Sequence, residues 1–377
     1  MIRSWSRLTA LTVAAAVALA IAPAGLAGPL KGWGWNNYGQ LDNGFSTDQA
    51  QATPERISLS SVVAVGAGQY HSLAVRRDGS VWGWGKNTSG QLGDGSTADH
   101  ASPVQVTGLS GAKAVAGGWD HSLALRDNGT VWAWGTNYAG QLGDGTTTSS
   151  LVPVQVAGLT AITAIAANRS QSFALGADGT LWAWGYNGYG QLGDGTTVDR
   201  STPVAVLSSV TAVAAGYLHT LALRSDGTVW GWGANYFGQL GRGTQTPSEP
   251  TPQLVAALPR ASAIGAGYDH SLAVAADGTV YAWGYNTYGQ AADASLTEAV
   301  LTPKQVPGLS GIVAVAGGLY DSLALTANGH VYGWGSDAHG QLGDGTASLE
   351  AQPVPTLGLA KGVDAIAAGS DHILART

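Results

Sequence analysis

Residues 131–145 read Val131-Trp-Ala-Trp-Gly-Thr-Asn-Tyr-Ala-Gly-Gln-Leu-Gly-Asp-Gly145, and close relatives of this segment recur along the chain. The copies occupy residues 31–44, 81–95, 131–145, 181–195, 229–243, 280–294 and 331–345. One tryptophan marks each copy: Trp33, Trp84, Trp134, Trp184, Trp232, Trp283 and Trp334. Successive markers lie 48 to 51 residues apart, so the sequence predicts seven repeated units.

A second motif accompanies the tryptophan motif and reads roughly Val-x-Ala-Gly-x-x-His-Ser-Leu-Ala-Leu. It appears around His71, His121, Gln171, His219, His270, Asp321 and His372. Its last copy lies near residue 377, whereas the first tryptophan motif begins near Lys31. Neither end alone forms a complete unit, so we expect the strands within residues 363–375 to pair with the strand near Lys31.

Each unit has the two-residue period of β-strands. Short apolar runs occupy residues 114–116, 121–125 and 131–135, and the last of these places Trp132 and Trp134 on one face. A fourth run covers residues 153–156, and the proline at its first position predicts an edge strand. Asp-Gly or Asn-Gly pairs between the second and third runs supply the positive φ angles of tight hairpins. Seven such four-stranded antiparallel meanders predict an all-β fold, a seven-bladed β-propeller closed by its terminal segments.

Residues 1–27 have the layout of a secretory signal peptide. Arg3 and Arg7 precede an uncharged run over residues 8–22, and small residues follow as cleavage candidates. This run is shorter than the roughly 20 apolar residues that span a bilayer. We therefore predict a secreted or periplasmic protein with one propeller domain over residues 28–377. Its sequence units lie near residues 33–80, 81–130, 131–180, 181–228, 229–279, 280–330 and 331–377.

Composition excludes several classes of function. The chain has no cysteine, which excludes disulfides and thiol chemistry. Its formal net charge is −7, and removal of residues 1–27 would make it −9, because only Arg3 and Arg7 would be lost. An acidic chain is a poor ligand for nucleic acid or anionic membranes. We expect a monomer with no membrane span after signal removal and no cofactor.

Two patterns resemble chemical sites. Asp120-His121-Ser122 and Asp269-His270-Ser271 contain the residue types of a catalytic triad, but neighbours on a strand point to opposite faces. We interpret the recurring histidine as structural, bonded to neighbouring backbone. Gly-Asp-Gly-Thr tracts such as residues 143–146 lack the carboxylate spacing of a helix-loop-helix calcium site, which favours turns. The sequence thus predicts no catalytic residue and no metal ligand.

The paired motifs Gly118-Trp-Asp-His-Ser-Leu-Ala-Leu125 and Trp134-Gly-Thr-Asn-Tyr-Ala-Gly-Gln-Leu-Gly143 resemble the repeats of the regulator of chromosome condensation family. The resemblance covers essentially the whole chain after residue 27 and implies a seven-bladed propeller. Within that family the chain is most similar to secreted bacterial propellers such as the β-lactamase-inhibitory protein of the second type. That similarity implies a face that plugs an enzyme's active site. The predicted export and acidic charge argue against a nuclear, nucleotide-exchange role.

Function is expected on the face where the sequence varies between units. In a meander, the loops between strands one and two and between strands three and four share that face, and Trp35 and Trp119 lie there outside the repeated tryptophan positions. Rigid aromatic side chains are typical of protein-binding surfaces. The predicted partner-binding residues are Trp35, Tyr38, Tyr70, Trp119, Tyr138, Tyr189, Tyr217, Tyr236, Phe237, Tyr268, Tyr288 and Tyr320.

We therefore predict a non-enzymatic binding protein, with enzyme inhibition as the narrower form of that hypothesis. A competing interpretation is that these aromatic side chains only pack between adjacent blades. Two other functions stay open: a carbohydrate-binding or lyase-type propeller of the cell envelope, which needs a polar pocket where Asp and His converge, and a purely structural envelope protein.

Overall fold

The computed structural model describes residues 14–15, 18–19, 28–359 and 362–377. Two short strands, β1 (Ala14–Ala15) and β2 (Ala18–Leu19), pair with each other. The remainder of the predicted signal peptide lies outside the described residues. From residue 28 onward, the described chain forms seven four-stranded antiparallel sheets, which confirms the predicted seven-bladed β-propeller. Within the described residues, no helix is long and apolar enough to cross a membrane.

The first three blades follow one another along the chain, each ordered from the central shaft outward. Blade 1 comprises β5 (Val62–Ala67), β6 (His71–Arg76), β7 (Val81–Gly85) and β8 (His100–Gln105). Blade 2 comprises β9 (Ala112–Gly117), β10 (His121–Arg126), β11 (Val131–Gly135) and β12 (Ser150–Gln155). Blade 3 comprises β13 (Ile162–Asn168), β14 (Gln171–Gly176), β15 (Leu181–Gly185) and β16 (Arg200–Leu207).

The next three blades repeat this plan. Blade 4 comprises β17 (Val210–Ala215), β18 (His219–Arg224), β19 (Val229–Asn235) and β20 (Thr246–Leu254). Blade 5 comprises β21 (Ala261–Ala266), β22 (His270–Ala275), β23 (Val280–Tyr285) and β24 (Ala299–Gln305). Blade 6 comprises β25 (Ile312–Gly317), β26 (Asp321–Thr326), β27 (Val331–Gly335) and β28 (Glu350–Pro355).

Blade 7 closes the ring with strands from both ends of the repeat array. It comprises β29 (Ala365–Ala368), β30 (His372–Arg376), β3 (Leu30–Asn36) and β4 (Thr47–Arg56). Strand β30 pairs with β3, for example Ala375 opposite Lys31 and Ile373 opposite Trp33. This pairing confirms the predicted mixed blade.

The tryptophan motif joins each blade to its neighbours. Trp134 of blade 2 is fully buried against side chains of blade 1, and Val131 on the opposite face packs toward Trp184 of blade 3. The indole Nε1 of Trp134 donates a hydrogen bond to the carbonyl of Gln91 in blade 1 at 2.8 Å. Trp132 packs on the same side as Trp134, as the alternation of the strand predicts.

The Asp-Gly hairpins differ in detail from the sequence prediction. Only the glycine has a positive φ, which is 75° at Gly79. Asp78 instead uses its carboxylate to accept a hydrogen bond from the backbone N–H of Ser80 at 3.0 Å. The turn therefore combines the left-handed freedom of glycine with side-chain capping by aspartate.

The outer strands begin earlier than the sequence predicts. Strand β12 starts at Ser150 rather than Pro153, because a bulge lets Gly135 pair with Ser150 while Ala133 pairs with Val154. Pro153 lies in that irregular stretch, where a missing N–H is tolerated. Strand β12 is the last strand of its sheet, so the predicted edge position is confirmed while the predicted start is wrong.

Candidate binding face

The loop between the first and second strands of each blade places two variable residues on one face of the propeller. In blade 2 these are Trp119 and Asp120, between Gly118 and His121. We call the first residue of each pair the inner position; these are Gln69, Trp119, Arg169, Tyr217, Tyr268, Leu319 and Ser370. We call the second the outer position; these are Tyr70, Asp120, Ser170, Leu218, Asp269, Tyr320 and Asp371.

A buried histidine belt fixes these loops. His121 Nε2 lies 2.9 Å from Ser172 Oγ of the next blade, and that hydroxyl donates to the carbonyl of Gln141 at 2.9 Å. A Cβ on Gly118 would overlap the ring of His121, so this loop requires glycine. Burial lowers the pKa of His121 to about 4, and the ring is neutral at physiological pH. The histidine is structural, but its Nε2 partner is a hydroxyl of the next blade rather than backbone.

Two blades replace the histidine, each for a steric or bonding reason. Blade 3 has Asn168 in place of the glycine, and in the histidine-bearing blades a Cβ at that position would overlap the histidine ring. Gln171 takes the place of the histidine and donates a hydrogen bond to the carbonyl of Gly216 at 2.7 Å. Blade 6 has Asp321 in place of the histidine. The residue of the next blade that would face it is Ile373, where other blades have a Ser or Thr hydroxyl. Asp321 is fully buried, and burial raises the pKa of its carboxyl well above the usual value.

Inter-blade backbone bonds hold the inner positions around the mouth of the central shaft. The N–H of Trp119 donates to the carbonyl of Arg169 at 2.9 Å, and that of Tyr217 donates to Tyr268 at 3.0 Å. All seven blades line the cavity at this mouth, mostly through glycine and alanine. None of the described residues lining it carries a carboxylate or an imidazole. Its polar lining residues are Gln69, Asn168, Tyr268 and Ser370, so the convergence of Asp and His that the sugar-binding or lyase-type alternative needs is not found among these residues.

Aromatic rings cross the face in a connected group, which we call the central aromatic band. The centroid of Tyr217 lies 3.8 Å from that of Tyr268 and 4.8 Å from that of Trp119, both in stacked geometry. Tyr268 lies 6.0 Å from Tyr320, which stacks on Tyr288 at 4.8 Å. Tyr285 extends the band to Phe237. Its members are Trp119, Tyr217, Tyr268, Tyr320, Tyr288, Tyr285 and Phe237.

The other predicted residues form smaller groups. Trp35 contacts Tyr70 at 4.9 Å and Tyr38 at 5.7 Å between ring centroids. Tyr189 lies 6.0 Å from Tyr236. Tyr138 makes a hydrogen bond of 2.6 Å through its hydroxyl to Ser170 Oγ. The structure thus brings six of the twelve predicted residues into the band and places the rest beside it on the same face.

Exposure shows that the rings are packed and accessible at the same time. Tyr138 is 66% exposed, Tyr236 44% and Tyr288 37%, while the other predicted residues are half-buried. Ring-to-ring packing therefore exists, as the competing interpretation expects, but it leaves a continuous aromatic surface facing solvent. Rings held in this way lose little entropy on binding.

Four side chains of this face are not among the predicted partner-binding residues, although Arg169, Tyr285 and His339 lie in its variable loops. Tyr285 links two members of the band. His339 lies 5.6 Å from Trp35, and the Lys86 ammonium lies 5.8 Å from the ring centroid of Tyr70. Arg169 points its guanidinium at three rings. The available signal was that Arg169 is the one charged residue at an inner position, where blades 2, 4 and 5 carry Trp or Tyr.

Acidic residues at the outer positions already have partners within the chain. Asp120 Oδ1 lies 2.9 Å from Lys86 Nζ. Asp269 accepts a hydrogen bond from Gln239 at 3.0 Å, while burial raises the pKa of Asp269 to about 6. Asp371 lies 3.7 Å from His339 Nδ1 and raises the pKa of that histidine.

The Gly-Asp-Gly tracts form turns, as the sequence predicts. Asp144 Oδ1 accepts hydrogen bonds from the backbone N–H and hydroxyl of Thr146 at 2.9 and 2.8 Å. Within the part of the chain that the structure describes, no group of three or more Asp, Glu or His side chains is arranged to hold a metal ion. Capping of the turn explains the aspartate.

Comparison with known families matches the two repeated motifs. The RCC1-like domain matches residues 151–377. The regulator of chromosome condensation (RCC1) repeat matches residues 31–75 and 78–125, and a second description of that repeat matches residues 62–91 and 112–141.

Known proteins are similar in part of the sequence and in the fold. The E3 ubiquitin-protein ligase HERC2 of Homo sapiens is 38% identical over 112 residues, 29% of this chain and 2% of HERC2. The ultraviolet-B receptor UVR8 of Arabidopsis thaliana is 35% identical over 95 residues, 25% of this chain and 21% of UVR8. The chain therefore spans less than a quarter of the length of these relatives.

Solved structures are similar over nearly the whole chain. Human WBSCR16 superimposes with a TM-score of 0.83 at 24% identity, covering 92% of this chain and 99% of WBSCR16. Prp20p from Saccharomyces cerevisiae superimposes with a TM-score of 0.81 at 24% identity, covering 92% of this chain and 90% of Prp20p. At these identities the likeness concerns the fold alone.

Proposed function

We propose that this chain, which belongs to the RCC1-like domain family, is a non-enzymatic β-propeller. It binds a protein partner through the face just described. The observation that carries this proposal is the central aromatic band, in which packed rings remain open to solvent on one face. Prp20p, a protein of the same fold, binds Gsp1p and histones.

The aromatic face has the composition that protein interfaces favour. Tyr and Trp are enriched in the energetically dominant parts of interfaces, and immobilised rings contribute contact area at low entropic cost. The acids beside them are already bonded to groups such as Lys86 and Gln239, so few unpaired charges would have to be desolvated. The partner we propose is therefore a folded protein with an apolar patch.

Affinity measurements on matched variants test the face. Tyr236 and Leu254 belong to blade 4 and are 44% and 43% exposed, but Leu254 lies beside Trp230 at the opposite end of the blade. With a partner captured by the immobilised chain, Tyr236→Ala or Trp119→Ala should weaken binding by about 2 kcal/mol or more if either is a hot spot. Leu254→Ala should leave binding unchanged. Equal affinities for all three variants would refute the face.

Inhibition of a β-lactamase is the narrower form of the proposal, and it rests on the resemblance inferred from the sequence motifs to secreted inhibitory propellers. Hydrolysis of a chromogenic β-lactam by a panel of class A enzymes, measured against increasing concentration of this chain, tests it directly. Nanomolar inhibition that Trp119→Ala abolishes would support it. A flat response up to micromolar concentration would remove this narrower form while leaving the binding proposal standing.

Export is also proposed, because Arg3 and Arg7 precede an uncharged run and small residues. Mass spectrometry of the chain from culture medium, envelope and cytoplasm of an expressing cell tests this. Loss of about 27 residues in an exported fraction is the expected result, and an uncleaved chain confined to the cytoplasm would overturn it.

A further inference from the structure

Arg169 is the one charged residue at an inner position, and its side chain is held by aromatic rings. Its guanidinium carbon lies 4.3 Å from the ring centroid of Tyr217, 4.9 Å from that of Tyr186 and 5.8 Å from that of Trp119. Three cation–π contacts of this kind fix the position of the guanidinium group. A ring face attracts the positive charge but does not accept five directed hydrogen bonds, so these contacts by themselves do not satisfy the N–H donors.

Among the described residues, no hydrogen-bond acceptor is recorded for the guanidinium group of Arg169. Nη1 is buried and makes no hydrogen bond. Among the residues that the structure describes, no carboxylate forms an ion pair with Arg169, although the chain carries an excess of acids. Arg126, which lies over Trp132 at the opposite end of blade 2, instead donates through Nε to the carbonyl of Ser110 at 2.8 Å.

The backbone at Arg169 departs from the other inner positions. Its φ is 40°, a left-handed value that none of the other six inner residues has. Its N–H donates to Asn168 Oδ1 in its own blade at 2.7 Å, whereas the other six inner N–H groups donate to the next blade. Side chains take over that link, because Asn168 Nδ2 donates to the carbonyl of Ala215 at 2.8 Å. Strained backbone that neighbouring bonds hold in place is often found at functional sites.

We propose that Arg169 is the receptor for a carboxylate, an Asp or Glu side chain that the protein partner places over the mouth of the central shaft. This inference rests on the proposed function and names one contact within it. The guanidinium group presents paired donors that match the two oxygens of a carboxylate, and the three surrounding rings hold it in place. Arg169 is only half-buried, so an incoming side chain can reach it.

Charge favours a carboxylate over a phosphate. One guanidinium group balances the single charge of a carboxylate, whereas a phosphate group carries more than one negative charge near neutral pH. Asp120 and Asp371 occupy outer positions of the same face, and the chain has a formal net charge of −7. A multiply charged anion would therefore meet more repulsion than a carboxylate does.

Nuclear magnetic resonance of the arginine side chains tests the site without the partner. The Nε–Hε signal of Arg169, assigned by its loss in Arg169→Lys, is followed while sodium acetate, sodium chloride or inorganic phosphate is added at equal ionic strength. We expect acetate to cause a saturable shift of the Arg169 signal and no comparable shift of Arg126. Equal shifts with chloride, equal shifts of both arginines, or saturation by phosphate alone would each overturn the proposal.

Partner affinity provides the second test. Arg169→Gln should weaken binding at least tenfold, and Arg169→Lys should weaken it as well, because an ammonium group keeps the charge but lacks paired donors. A melting temperature close to that of the unchanged chain verifies that each variant is folded. Weaker binding by Tyr236→Ala without an effect of Arg169→Gln would refute the role of Arg169 and leave the proposed function intact. Unchanged binding in both variants would refute the face itself.

Discussion

Asp337 occupies a position where the other tryptophan motifs carry asparagine, at Asn36, Asn87, Asn137, Asn187, Asn235 and Asn286. In blade 1, Asn87 accepts from the N–H of Leu92 and donates through Nδ2 to the carbonyl of Ser96. Asp337 keeps the first bond, to Leu342, but has no amide donor. Burial raises the pKa of Asp337 to about 7, and Asp344 and Glu350 add to the rise.

This raised pKa predicts a stability change with pH. The folded chain binds the proton of Asp337 more tightly than the unfolded chain, in which the pKa is about 3.8. The resulting stabilisation is complete below pH 3.8 and is lost as the pH rises through 7. Asp337→Asn should therefore increase the free energy of unfolding by about 1–3 kcal/mol at pH 8 and by little at pH 4.

Urea unfolding at both pH values measures the effect of Asp337→Asn. Asn137→Asp is the reverse control, because its loop also contains an aspartate, Asp144, seven residues later. It should destabilise the chain at pH 8. An Asp337→Asn variant that gains the same stability at pH 4 and pH 8 would contradict the role of the proton.

Gln171 stands where other blades have histidine, and we predict that the effects of substitutions at positions 171 and 168 depend on each other. Gln171→His alone should destabilise the chain, because the new ring would meet the side chain of Asn168 where the other histidine-bearing blades have glycine. With Asn168→Gly added, the ring would fit and its Nε2 would face Thr220 of the next blade, which replaces the usual serine. A double-mutant cycle should give a favourable coupling of about 1 kcal/mol or more. Additive effects of the two changes would contradict this steric account.

At the scale of an element, turn glycines differ in the space around them, as Gly129 in the hairpin between β10 and β11 and Gly308 in the connection between β24 and β25 show. Gly129 has a φ of 77°, and a Cβ there would lie 3.0 Å from the Cα of Ala161. Gly308 has a φ of 75° and no atom within 4 Å of a Cβ. Gly308→Ala should cost about 1 kcal/mol from the left-handed backbone alone. Gly129→Ala should lower the free energy of unfolding by roughly 1 kcal/mol more, because the backbone at Ala161 must also move.

Thermal unfolding of both glycine variants measures this difference. The two φ values are nearly equal, so the gap between the variants isolates the steric contact. Equal losses in Gly129→Ala and Gly308→Ala would show that contact with the next blade is unimportant there.

Strands and turns could be predicted from the sequence because their signals are local. The alternation around Trp132 and Trp134 and the glycine after each hairpin aspartate act within a few residues. The start of β12 could not be predicted, because it depends on which residue pairs across the bulge with Gly135. Similarly, the aromatic positions could be nominated one by one, but the cage around Arg169 depends on rings from blades 2, 3 and 4.

At the scale of the whole molecule, the mixed composition of blade 7 predicts the behaviour of a circular permutant. The N–H of Thr377 donates to the carbonyl of Pro29 at 3.0 Å, so a short linker can join these ends. New ends between Ala157 and Gly158 would make every blade one continuous segment. Strands β3 and β30 would still pair, but no blade would then join the two ends of the chain. We expect a folded ring with a lower free energy of unfolding, because packing and inter-blade hydrogen bonds such as Trp119 N–H to the Arg169 carbonyl would join blades 2 and 3 without strand pairing.

Circular dichroism and guanidinium unfolding of the permutant provide this measurement. The unpermuted chain, whose ends lie within blade 7, serves as the reference. A permutant as stable as the reference chain would show that strand pairing across blade 7 contributes nothing to closure.

The order of synthesis gives blade 7 a further consequence. Strand β3 leaves the ribosome more than 300 residues before β30, the strand that covers its inner edge. At roughly 5–20 residues per second, β3 waits on the order of half a minute with that edge unpaired. Trp33 also stays outside its final core until blade 6 and β30 have been made. The last interface of the ring thus forms only once β30 has been made, whereas each earlier blade can dock on the one before it as it emerges.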